Sequence, residues 1–71
     1  MMNLIAGYRK MLNATQSDMA KALGISKQSY YRKENQLVPF TDQEKILIKR
    51  MLIPLFPNIT IDDIFFNQKV S

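Results

Sequence analysis

The apolar side chains Leu4, Ile5, Tyr8, Met11 and Leu12 recur at helical spacing, which gathers them on one face and predicts an amphipathic helix over residues 3–12. Asn13 and Ala14 break it. Thr15 offers a side-chain oxygen to an orphan backbone N–H, and Asp18 strengthens the first turn of a second helix over 16–23, with Met19, Ala20 and Leu23 inward. Gly24 follows where a helix end favours a residue that tolerates the left-handed conformation. Ser26 then caps a third helix over 27–35, short and rich in Lys, Gln and Arg, with Tyr30 its one clear inward residue. Pro39 disfavours helix at Val38 and makes 37–40 a loop. Thr41 and Glu44 stand in capping-box relation and open a fourth helix that runs through Ile53 and must bend or stop around Pro54 to Pro57. Thr60 or Asn58 caps a last short helix holding Ile61, Ile64 and Phe65, and residues 69–71 fray. The expected fold is all-α, a compact bundle of four to five helices with no strand, repeat or linker.

Composition narrows what such a bundle can do. Seventy-one residues support one domain over 1–71 with a thin stability margin. Cysteine and histidine are both absent, which removes disulfides, thiolate-held metals and the usual nucleophile, general base and zinc ligands. An enzyme is therefore not expected, and neither is a metal, cofactor or small-molecule ligand. Asp62 and Asp63 are better explained as acids at a helix start than as a carboxylate pair. The longest apolar run, 51–57, contains two prolines and falls far short of the roughly 18 residues of a membrane span. The N-terminus has neither the basic segment nor the cleavage site of a secretory signal, so the expected setting is the cytoplasm.

The net charge of +4 is unevenly placed. Residues 1–33 carry Arg9, Lys10, Lys21, Lys27, Arg32 and Lys33 against Asp18 alone, whereas the remainder is nearly balanced. This asymmetry predicts that the N-terminal half meets a polyanion, against the alternative of a merely solvated basic surface.

Residues 15–35, TQSDMAKALGISKQSYYRKEN, lay out two short helices joined by a tight turn with Gly24 at its head, the arrangement of a helix-turn-helix. Ala20 is small enough for close helix approach, Ile25 plugs the core, and the second helix is left projecting at a diameter that fits a DNA major groove. On Arg9, Thr15-Gln16, Ala20, Leu23-Gly24-Ile25-Ser26, Tyr30 and Glu34-Asn35, residues 3–35 resemble the Cro/repressor-type (XRE-like) helix-turn-helix family of phage and bacterial regulators, and residues 61–65 resemble its closing helix.

The resemblance implies a lambda-repressor-like bundle that binds double-stranded operator DNA. By carry-over, Lys27, Gln28 and Arg32 meet base edges, Gln16, Ser29 and Asn35 hold phosphates, with Lys33 and Tyr31 beside them on the backbone, and Arg9 pairs with Glu34. Two features depart from the family: Gln36 stands where relatives commonly have Gly, and the loop 37–40 lacks Lys or Arg. The fourth helix and the residues after it carry more apolar side chains than one stripe can hide, so Leu52, Leu55, Phe56 and Phe66 are expected at a homodimer or partner interface, with a single filled core as the alternative. The expected function is a transcriptional regulator that occludes an operator as a dimer. The competing reading is an antirepressor-type protein that binds a repressor through the same fold, with an antitoxin role as a third, weaker option.

Overall fold

Hydroxyl side chains set where the helices begin. The computed structural model describes residues 4–66, and among them are five helices and no strand: α1 (Leu4–Met11), α2 (Gln16–Leu23), α3 (Lys27–Glu34), α4 (Asp42–Leu52) and α5 (Ile61–Phe65). Thr15, Thr41 and Thr60 each close a reciprocal capping box with the acid three positions on. In the first, Thr15 Oγ1 accepts from the Asp18 N–H at 3.0 Å while Asp18 Oδ2 accepts from the Thr15 N–H at 2.8 Å. Ser26 Oγ accepts from the Ser29 N–H at 3.0 Å and starts α3. Each cap satisfies a donor that would otherwise be orphaned, and contributes about 1 kcal/mol. Asn3 and the tail 69–71 lie outside the described residues.

Three helices end by one device. Asn13, Gly24 and Gln36 adopt left-handed conformations with φ of 58°, 71° and 66°. In each case its own amide and the next fold back onto the helix: Gly24 N–H donates to Lys21 O and Ile25 N–H to Ala20 O, at 3.1 and 3.0 Å. The corresponding bonds at α3 are Gln36 N–H to Lys33 O and Leu37 N–H to Arg32 O. These are Schellman closures, which favour glycine at the left-handed position. Gln36 follows the glycine path despite its side chain, at a cost of about 1 kcal/mol. The fourth helix ends one residue earlier than the sequence predicts, at Leu52, because Pro54 has no N–H to carry the ladder onward.

The core comprises Ile5, Met19, Ala20, Tyr30, Phe40, Ile48, Leu52, Ile59 and Ile64, with Tyr8, Leu23, Ile25 and Phe56 among the side chains packed around it. Phe40, just before the Thr41 cap in the α3–α4 loop, meets Tyr30 and Phe65 edge-on at centroid distances of 6.0 and 5.5 Å and so ties the loop to both sides of the core. Packing of α2 on α3, and of α5 on α1 and α4, leaves the outer face of α3 uncovered. Leu52, expected at an interface, is instead 0% exposed. It falls one α-helical turn after Ile48, on the face of α4 that points into the core. Phe56 is likewise partly withdrawn, edge-on to Tyr8 at 5.8 Å, whereas Leu55 and Phe66 remain 49% and 48% exposed. No helix among the described residues is long and apolar enough to cross a membrane.

Candidate functional site

The third helix divides sharply between an inner and an outer face. Tyr30 and Glu34, one turn apart, are buried, while Lys27, Gln28, Tyr31 and Arg32 are exposed. Positions 27 and 31, and 28 and 32, stack one turn above another, so the exposed set forms a polar, basic strip with an aromatic ring in it. Ser29 lies half-buried beside it, its own N–H engaged by the Ser26 cap.

A buried network fixes this helix against the first two. Arg9 Nε donates to Glu34 Oε2 at 2.7 Å and Nη2 to Oε1 at 3.2 Å, a two-pronged pairing that suits the planar guanidinium. Arg9 Nη1 donates to Ala14 O at 3.0 Å, and Gln16 Nε2 donates to Glu34 Oε1 at 3.0 Å. Burial opposes the Glu34 charge, but the hydrogen bonds from Arg9 and Gln16 outweigh it and hold the carboxyl below its ordinary value. Burial also pushes the neighbouring Tyr30 hydroxyl up, with the Glu34 charge adding to the effect, so this phenol stays protonated.

Lys33 differs from its sequence-based role. Its Nζ sits 2.6 and 2.7 Å from the two carboxylate oxygens of Glu44, and both side chains are largely buried. Glu44 also accepts from the Thr41 N–H at 2.9 Å, so the α4 cap and the α3–α4 link share one carboxylate. Burial works against the charge of Glu44, and the Lys33 and Thr41 bonds more than offset it, leaving its pKa lowered. Lys33 is thus a strut between helices, not an outward phosphate contact, because the capping turn brings an acid within its reach. Asn35 also turns homeward: its Nδ2 donates at 2.8 Å to Tyr31 O, which accepts the Asn35 backbone N–H as well.

Beside the exposed strip lies an open groove lined by Arg9, Lys10, residues 13–17 and Lys27. It forms where the end of α1, the start of α2 and the start of α3 converge. Gln16 belongs to it, and after its bond to Glu34 it retains a second amide hydrogen. Lys10 and Ser17 escaped the sequence reading, and Lys27, expected at base edges, also lines this groove. The only local signal was that Lys10 and Ser17 flank the break at 13–15; their meeting with Lys27 is a product of chain packing. Comparison with family models, curated proteins and solved structures finds no match to this chain.

Proposed function

We propose that this chain is a sequence-specific DNA-binding regulator in which residues 15–35 act as a helix-turn-helix and α3 enters the major groove. The observation that carries the reading is the outward alignment of Lys27, Gln28, Tyr31 and Arg32 on a helix anchored by buried Tyr30 and Glu34. In this reading Arg32 bonds guanine through two donors and Gln28 bonds adenine, while the adjoining groove with Lys10, Gln16, Ser17 and Lys27 takes the phosphate backbone. Exposed Leu55 and Phe66 supply apolar surface for a two-fold dimer that would present two such helices about 34 Å apart. Occlusion of the site is the mechanism, because nothing else in a chain of 71 residues is needed to block a competitor.

One observation favours a second reading, in which the same fold engages a repressor protein. Leu37 and Val38 are 70% and 40% exposed on the loop after α3, without a basic side chain between them and Phe40. Duplex binding by the purified chain at about 50 and 200 mM salt separates the two, since phosphate neutralisation demands a steep fall in affinity. Steep dependence supports DNA, and absent binding overturns it in favour of the protein partner.

A further inference from the structure

Glu34 belongs to α3, yet its hydrogen bonds reach residues that line the groove at the start of α2. Arg9 donates to it twice, Gln16 once, and Arg9 holds Ala14 O with its remaining arm. One buried carboxylate on α3 therefore fixes three neighbouring parts of the groove wall. Glu34 is two residues beyond Arg32 on the same short helix, so the distance between the exposed strip and the groove is set through this link.

An exposed glutamine has several rotatable bonds, and immobilising such a side chain during binding weakens affinity. Gln16 arrives with its amide already seated on Glu34. We infer that Glu34, with Arg9, is a positioning residue that holds Gln16 ready to donate its second amide hydrogen to a nucleic-acid phosphate, locking the phosphate grip in register with α3. This inference rests on the DNA reading and adds to it a division of labour: Glu34 touches no ligand and acts through Gln16.

The test uses the full chain and a mixed-sequence duplex of about 20 base pairs, because a phosphate contact is independent of sequence. Arg9→Met/Glu34→Leu removes a positive and a negative charge together, so the net charge and the long-range attraction to DNA are unchanged, and no lone buried ion remains. With circular dichroism confirming the folded state, Gln16→Ala is expected to weaken binding by at least about tenfold, the size of one hydrogen bond to a charged group. The Arg9→Met/Glu34→Leu chain should lose about the same factor, and the triple variant no more than either. Multiplied losses, or a folded Arg9→Met/Glu34→Leu chain that binds like the wild type, overturn the positioning role while leaving the DNA reading intact. No duplex binding by the wild-type chain overturns the DNA reading itself. A measurement on the wild type alone guards against a variant that does not fold: the Gln16 side-chain amide protons should be ordered in the free chain and shift on duplex addition. A freely averaging Gln16 amide overturns the inference.

Discussion

Arg9 and Glu34, twenty-five positions apart in the chain, meet through two N–H···O bonds of 2.7 and 3.2 Å with little of either side chain exposed. Removing one partner leaves the other charged and buried, which costs about 3–5 kcal/mol, a large part of the total stability of a small domain. Arg9→Ala should therefore unfold in far less urea than the wild type. Arg9→Met/Glu34→Leu, which fills the space without a stranded charge, should lie within about 2 kcal/mol of it. Urea titrations of the three chains read both outcomes.

Acid should weaken the fold through two carboxylates. Glu34 and Glu44 both titrate below their ordinary value near 4.5 in the folded chain. Above that value both are ionised whether folded or not, and the full contribution of their bonds is present. As the pH falls through and below it, the unfolded chain takes up protons first, and stability declines until the lower, folded-state values have been passed. Unfolding midpoints should drop as the pH falls through about 4.5 and below, and Arg9→Met/Glu34→Leu, which leaves no stranded charge, should remove the Glu34 share of that dependence. An equally steep profile in that variant would exclude Glu34 as a source.

Two left-handed positions should respond with opposite signs. Gly24 has φ of 71° and open space where a Cβ would stand, so Gly24→Ala costs backbone strain alone, about 1 kcal/mol. Gln36, at φ of 66°, already bears that strain, and Gln36→Gly should raise stability by about 0.5–1 kcal/mol. Thermal melts of the two variants should move in opposite directions.

Leu52 and Leu55 are close in sequence but differ in burial, 0% against 49% exposed. Leu52→Ala should cost about 2–5 kcal/mol through a core cavity, whereas Leu55→Ser should alter folding stability by under about 0.5 kcal/mol. If the proposed dimer forms through this surface, sedimentation will show Leu55→Ser as the variant that shifts toward monomer.

On DNA, the proposed contacts separate by kind. Arg32→Ala should relax discrimination at one base pair by about 1–3 kcal/mol. Lys10→Ala and Lys27→Ala should weaken all duplexes alike, with the salt slope of log K shallower by about one unit each. Lys33→Ala should act mainly on stability, since its ammonium is held by Glu44. A gel-shift series at several salt concentrations, paired with melts, distinguishes the three behaviours.

The sequence by itself determined what depends on neighbours three or four residues away. Thr15 with Asp18, Thr41 with Glu44, and Gly24 after Leu23 mark helix ends because capping is a local hydrogen-bond exchange, and the apolar spacing of α1 marks its inner face. Arg9 and Glu34 were paired by resemblance to a family, since no spacing rule connects residues on different helices. Tertiary packing alone decided the rest. It gave Lys33 to Glu44, buried Leu52 while leaving Leu55 outside, and drew Lys10, Gln16, Ser17 and Lys27 around one groove. Those outcomes depend on where a turn aims the next helix, and at Gln36 that turn took a left-handed path which the residue itself does not favour but the packing of Phe40 between Tyr30 and Phe65 rewards.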